Sequence, residues 1–267
     1  MYKVYPKIIL ACLLLVMTGT VYSQRVTQTI NDGWKFSLFE GDASTADFDV
    51  SGWTDVSIPH TWNAKDAEDE IPGYFRGKGW YRKVVAVEEL IPEQRVYLSF
   101  EGANQETNVF VNGTFVGNHK GGYSAFTFDV TDYVHAGRNL IAVSVDNSHN
   151  PDIAPLSADF TFFGGIYRDV YLVYTSPVQL STTHYASSGV YLKASKITDL
   201  QADISVKTFL SNALKSNQSL ILETEILDTD GNRVALSAKK VNVKAGEKNV
   251  AFEALMTIAQ PKRWDVD

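Results

Sequence analysis

The chain has 267 residues, 45% of them hydrophobic and 21% charged, with a formal net charge of -7. This is ordinary globular composition, enough for one large or two modest domains, and its acidic balance argues against a nucleic-acid-binding surface. The single cysteine, Cys12, sits in the first segment, so removal of that segment excludes disulfides, cysteine catalysis and thiolate-metal chemistry from what remains.

Residues 1–23 read as a secretory signal peptide. Lys3 and Lys7 form a basic start, "IILACLLLVM" supplies the apolar run over 8–17, and "VYS" at 21–23 offers small residues for cleavage. The run is too short to span a bilayer comfortably. The expectation is an exported protein, periplasmic or at the cell surface, with no membrane association after signal removal. A cysteine-free exported chain must be held together by the size of its core.

Beyond this segment helical periodicity is nearly absent and two-residue alternation is common. "VYLSF" puts Val96, Leu98 and Phe100 on one face, "AFTFDV" does the same for Phe126, Phe128 and Val130, and "LIAVSVD" for Ile141, Val143 and Val145. "VFVNGTFVG" (109–117) is a hairpin about Asn112-Gly113, two residues that tolerate positive φ. Short strands at this spacing predict an all-β sandwich.

Pro177, after "DVYLVY", marks a boundary. Residues 24–176 form the first predicted domain and residues 177–267 the second. In the second, "ADISVKTFL", "SLILETEILD", "AKKVNVKAG" and "KNVAFEALM" alternate, and "DTDGNRV" (228–234) is a hairpin turn. This predicts an immunoglobulin-like β-sandwich without its disulfide. "QPKRWDVD" ends the sequence just after an apolar tryptophan with no polar tail, so the chain is expected to continue in a longer protein.

The segment 58–83, "IPHTWNAKDAEDEIPGYFRGKGWYRK", carries Trp62, Tyr74, Phe75, Trp80 and Tyr81, several of them predicted in loops. Aromatic faces beside carboxylates and amides suit a carbohydrate, whose C–H face stacks on the ring while polar groups fix its hydroxyls. Taken singly, Trp62 and Trp80 read better as plugs of a sandwich, His60 as a structural hydrogen-bonding group and His119 as loop architecture. No metal-ligand spacing, nucleophile elbow or phosphate loop occurs, so no metal or cofactor is expected.

"DFTFFGGIYRDV" (159–170) is the richest stretch. Gly164 and Gly165 predict a sharp bend. Arg168 is predicted to begin a strand and, where buried, to need a carboxylate. Asp159 has three roles open to it: partner of Arg168, turn former, or ligand contact on a rim plugged by Phe160, Phe162 and Phe163.

Taken in order, "IPHTWN", "GKGWYRK", "VFVNGTFVGNHKGGYSAFTFDVT", "NLIAVSVDNS" and "PLSADFTFFGGIYRDVYL" resemble glycoside hydrolase family 2, strongly over residues 29–174 and more loosely beyond. The wording is most similar to the β-galactosidase branch, beside β-glucuronidases and β-mannosidases. The resemblance implies a jelly-roll (galactose-binding-like) sandwich, then an immunoglobulin-like sandwich, then a TIM barrel holding two catalytic glutamates whose close separation gives retention. The acid/base glutamate of the family follows an asparagine. No Asn-Glu dipeptide occurs here, so no catalytic residue carries over.

One contact does carry over, an aspartate ahead of the Gly-Ile-aromatic-Arg motif that touches the sugar, which is Asp159 here. Asp66 and Tyr74, in the neighbouring loop, are the further substrate-binding candidates. The resemblance thus implies a non-catalytic part of an O-glycosyl hydrolase with a β-galactoside-like partner, its barrel absent from these residues and a homo-oligomer left open. A free-standing carbohydrate-binding module is the alternative.

Overall fold

The structure, a computed structural model, describes residues 25–66, 68, 73–157 and 160–262. The predicted signal peptide, Asp159 and the Trp264 ending lie outside the described residues. Every regular element described is a strand: β1 (Val26–Thr29), β2 (Trp34–Leu38), β3 (Thr54–Val56), β4 (Lys78–Val87), β5 (Arg95–Phe100), β6 (Glu106–Val111), β7 (Thr114–Lys120) and β8 (Phe126–Asp129). They continue with β9 (Gly137–Asp146), β10 (Val170–Thr175), β11 (Val178–Leu180), β12 (Val190–Ser195), β13 (Gln201–Asn212), β14 (Gln218–Leu227), β15 (Arg233–Val243) and β16 (Val250–Ala259).

The first ten strands make two antiparallel sheets, a four-stranded one ordered β1-β10-β5-β8 and a six-stranded one ordered β3-β2-β4-β9-β6-β7. Their inner faces share one core. Val96, Leu98 and Phe100 from β5 meet Tyr81 and Val85 from β4, Val109 from β6 and Ile141, Val143 and Val145 from β9. The alternation in these strands is what buries one whole face and so sets register, because a one-residue slip would turn each apolar set outward. Asn112 (φ 51) and Gly113 (φ 81) close the β6–β7 hairpin with positive φ at both turn positions, as that dipeptide favours.

The six-stranded sheet is covered on its outer face as well. Trp80, Ala43 and Ala142 are buried there with Phe48, Trp53 and Phe110 packed against them. Trp80 and Tyr81 are therefore strand residues of β4, buried on opposite faces, rather than loop aromatics. Arg82, only 4% exposed, is buried in this outer layer. Its guanidinium donates to the carbonyls of Ala43, of Thr45 at 2.7 Å and of Ala46 at 3.4 Å, and lies 5.7 Å from the Phe48 ring centre. A buried charge survives here because backbone oxygens surround it.

The remaining strands form a second sandwich. β13 pairs with β11 and β12 along one edge and with β16 along the other, opposite the β14–β15 hairpin. Leu210, Val241 and Val243 are its buried centre, with Leu220, Leu222, Val250 and Phe252 against them. The predicted turn at 228–234 is present, with Gly231 at φ 83 and Asp228 Oδ1 accepting from the amides of Asp230 and Asn232. The two sandwiches touch through Gln179, whose side-chain amide donates to the Tyr97 hydroxyl, and through Arg25, which donates to the Leu180 carbonyl at 2.9 Å.

Candidate functional site

One end of the first sandwich, where β4 begins and β9 ends at the Lys78–Asp146 pair, gathers four loops. These are the β3–β4, β5–β6, β7–β8 and β9–β10 connections. Buried side-chain amides tie the first, second and fourth together, and the Tyr167 hydroxyl, donating to the Gly122 carbonyl, attaches the third.

Asn63 is the first hub, 2% exposed. Its Oδ1 accepts from the Gly164 amide at 2.6 Å and from Asn147 Nδ2 at 3.3 Å. Its Nδ2 donates to Asp66 Oδ2 at 2.6 Å and to the Phe75 carbonyl at 2.8 Å. Asn147 is the second hub. Its Oδ1 accepts from the Gly77 amide at 2.9 Å, and its Nδ2 donates to the carbonyls of Phe162 at 3.1 Å and Phe75 at 3.2 Å. Asn104 is the third: its backbone pairs with Gly165 in a two-residue bridge, and its Nδ2 donates to the Phe163 carbonyl at 2.9 Å. Loop backbone without strand partners needs such side-chain partners when buried.

The two glycines serve different ends. Gly165 has φ 120, and a Cβ there would lie 2.6 Å from both the His60 carbonyl and the Tyr81 hydroxyl. Gly164 is needed for close approach instead, since a Cβ would lie 2.1 Å from the Trp62 ring and 2.7 Å from Asn147 Nδ2. Trp62 lies parallel to Phe36 at 5.9 Å and packs on the main core, as the plug reading expects. His60 is structural too: its amide donates to the Ile166 carbonyl at 2.8 Å and its Nδ1 lies 2.7 Å from the Tyr81 hydroxyl. Burial lowers the His60 pKa and pushes the Tyr81 phenol far up, so both groups are held neutral at this contact. His119 is a strand residue of β7 rather than a loop one: it pairs with Thr107 of β6 and stacks on Phe126 at 4.2 Å.

The rim above these ties is aromatic. Phe162 is buried, with Phe160 at 5.3 Å and Tyr74 at 6.3 Å edge-on to it. The Arg76 guanidinium sits 4.8 Å from the Tyr74 ring centre and 5.1 Å from that of Phe162, and donates to the Tyr74 hydroxyl. Of the predicted site residues, Tyr74 lies on this rim, half-buried. Asp66 is a loop tie: its Oδ2 accepts from Asn63 and from the Phe75 amide at 2.8 Å. Asp159 lies outside the described residues, directly before the described Phe160.

Arg168 differs from expectation. β10 begins at Val170, and Arg168 is exposed, with its guanidinium 5.6 Å from the Tyr167 ring centre. An exposed guanidinium has no need of a buried carboxylate. Sequence reading passes over Asn63, Asn104 and Asn147, because a side-chain amide that bridges segments far apart in the chain leaves no periodic trace. The available signal is an asparagine closing a buried strand, as in "SVDN", or following an aromatic in a loop, as in "HTWN".

Residues 27–177 match the family described as "Glycosyl hydrolases family 2, sugar binding domain", and residues 187–267 match "Glycosyl hydrolases family 2". Among curated proteins the chain is similar to a β-glucuronidase of Bacteroides fragilis, 34% identical over 257 residues, covering 94% of this chain and 35% of that protein. It is also 34% identical to a β-galactosidase of Thermoanaerobacter pseudethanolicus, covering 91% of this chain and 30% of the relative. Among solved structures it resembles Bacteroides uniformis β-glucuronidase 2 covalently bound to cyclophellitol-6-carboxylate aziridine. There the TM-score is 0.84 at 38% identity, over 90% of this chain and 29% of that one. The chain thus spans about a third of the length of the curated relatives it matches.

Proposed function

The chain belongs to glycosyl hydrolases family 2, and from that premise we propose that it works as the non-catalytic amino-terminal part of an exported, retaining glycoside hydrolase of the β-galactosidase type. In this reading the first sandwich supplies one wall of a sugar pocket and a TIM barrel supplies the other, with both catalytic glutamates. The observation that carries it is the immobilised turn at Gly164–Gly165. Asn63 and Asn104 fasten that turn to two other loops and Asn147 braces it within its own connection, so the chain from Phe160 onward is held as a rigid platform. A carboxylate that must meet a sugar hydroxyl gains from such support, because positioning error weakens a hydrogen bond steeply. Asp159 is assigned as the sugar contact. Tyr74, edge-on to Phe162, is assigned as a ring surface, and Asp66 acts through the loop it ties or through its other oxygen.

The free-standing carbohydrate-binding module is favoured by one observation, the exposed rings of Phe160, Phe163 and Tyr123 beside this turn. Two measurements on the chain without residues 1–23 separate the readings. The proposal expects no release of nitrophenol from nitrophenyl β-galactoside and no heat of binding with glycan panels in calorimetry. Turnover by protein free of contaminating enzyme would overturn it, and tight glycan binding would establish the module. Asp66→Asn keeps an acceptor for both loop bonds, so a loss of sugar affinity in that variant, measured with the barrel joined, would mark a direct contact.

A further inference from the structure

The covering segment 39–53 leaves part of the outer face of the six-stranded sheet open. A cleft of about 580 Å³ lies there, between Ala46, Phe48 and Val50 of that segment and Val84 and Leu140 of the sheet. Val84 and Leu140 are paired across β4 and β9. They sit about 20 Å along the strands from the Lys78–Asp146 end that gathers the loops. Val84 is 46% exposed although it lies in mid-strand, on a face whose nearer part is buried.

The charged lining has one sign. Lys35, Arg82, Lys83 and Arg138 line the cleft, and among the described residues no carboxylate does, in a chain whose net charge is -7. Lys35 pairs with Asp55 at 2.8 Å, but both side chains are exposed, so that pair is weak and easily exchanged. Among the described residues Arg82, Lys83 and Arg138 form no ion pair. Arg82 and Lys83 donate to backbone carbonyls, which satisfy their N–H groups without cancelling their charge. Burial lowers the pKa of both, against the opposing pull of Asp47 on Arg82 and Asp32 on Lys83. Each cation is therefore stabilised by an anion brought close to it. Like charges over apolar walls also concentrate the field on whatever enters.

Cations around an apolar floor select a ligand with two parts. A small inorganic anion would leave Val84, Leu140 and Phe48 wet, and a neutral apolar molecule would leave the cations without a counter-charge. The volume is that of an ordinary small-molecule site. We propose that this cleft binds an amphiphilic organic anion, a carboxylate on an apolar body, with its head among Lys35, Lys83 and Arg138. The body lies on Val84, Leu140 and Phe48. This second site stands apart from the sugar-pocket reading, shares none of its residues and takes no glycan.

The test is amide NMR on the purified chain, titrated with decanoate, decanol, decyltrimethylammonium and acetate, each kept below the concentration at which it self-associates. The first three share one tail and differ in head charge, and acetate carries the head alone. Decanoate gives saturable shifts at Phe48, Val84 and Leu140, binding about tenfold tighter than decanol, while the cation and acetate do not saturate. Arg138→Gln and Lys35→Gln each weaken decanoate about two- to fivefold and leave decanol unchanged. Val84→Asp, which sets a carboxylate on the floor, removes decanoate binding. Arg138 and Val84 are exposed, so these two variants keep the folded spectrum. Decanol or the cation binding as tightly as decanoate would overturn the proposal in favour of an apolar groove blind to charge. Acetate binding as tightly would overturn it in favour of a simple anion site. No saturable shift at these residues, or decanoate affinity unchanged in Val84→Asp, would overturn it outright. None of these outcomes bears on glycan binding or turnover, so the sugar-pocket reading stands or falls separately.

Discussion

Asn63 and Gly164 are 101 residues apart in sequence and are joined by a 2.6 Å hydrogen bond from the Gly164 amide to the Asn63 side-chain carbonyl. That bond closes the β9–β10 connection onto the β3–β4 connection. Asn147 bridges the same two segments from the end of β9 through the Phe75 and Phe162 carbonyls. The rim is therefore one fastened unit, although it is built of loops.

Asn63→Ala removes the partner of the buried Gly164 amide and one donor to Phe75 and Asp66. The expected loss is about 2–4 kcal/mol of unfolding free energy. Asn147→Ala loses a similar amount. Because the two side chains touch at 3.3 Å and share Phe75, the double variant loses less than the sum. Urea denaturation of the four proteins measures the coupling, and strict additivity would show that the hubs act separately.

Gly164→Ala and Gly165→Ala both destabilise, by roughly 1–3 kcal/mol from crowding at the first and more at the second, where left-handed backbone strain adds. Their rescue differs. The obstacle at Gly164 is the Trp62 ring, so Trp62→Phe restores part of the loss. At Gly165 the obstacle includes the His60 backbone carbonyl, which no side-chain change removes. Thermal melts of each glycine variant with and without Trp62→Phe check this.

The pH dependence follows from His60. Its pKa in the folded chain lies below the ordinary 6.5, through burial. On acidification the unfolded chain takes up the proton first, so this stability is whole above about pH 6.5 and falls away as the pH drops toward the folded value. His119, also lowered mainly by burial, acts in the same sense. His60→Gln should flatten the fall in unfolding free energy between about pH 7 and 5. An unchanged slope would place the titration elsewhere.

Arg82→Met keeps the length of the side chain and strips its donors from the Ala43, Thr45 and Ala46 carbonyls. The expected cost is about 3 kcal/mol, with loss of the segment 39–53 from the outer face of the six-stranded sheet. Hydrogen exchange over residues 39–53 reads the second effect directly, and protection unchanged from the parent chain would refute it.

Strand content, the Asn112-Gly113 hairpin and the inward faces of β5 and β9 were legible because side-chain alternation has a period of two and one buried face selects it. Arg168 falls outside β10, with Asp169 between it and the strand, because element boundaries carry little periodic signal. Trp80 shows the same limit from the other side. Its place on β4 is strand-like, but its burial depends on the segment 39–53 folding over the outer face, with Gly41 accepting its indole N–H at 3.0 Å.

By itself, then, the amino-acid order determined an all-β chain of two sandwiches, the family it belongs to, and the glycine turn beside Asp159. Local pattern and motif suffice for these because each is written in neighbouring residues. Only the tertiary structure decided that Gly164 exists to admit Trp62, that Asp66 is a loop tie, and that Tyr123, from the β7–β8 loop, meets Phe160 and Phe163 in one cleft. Those facts depend on segments far apart in the chain being brought within a few ångströms, where a single buried amide or one missing Cβ sets which loops can touch.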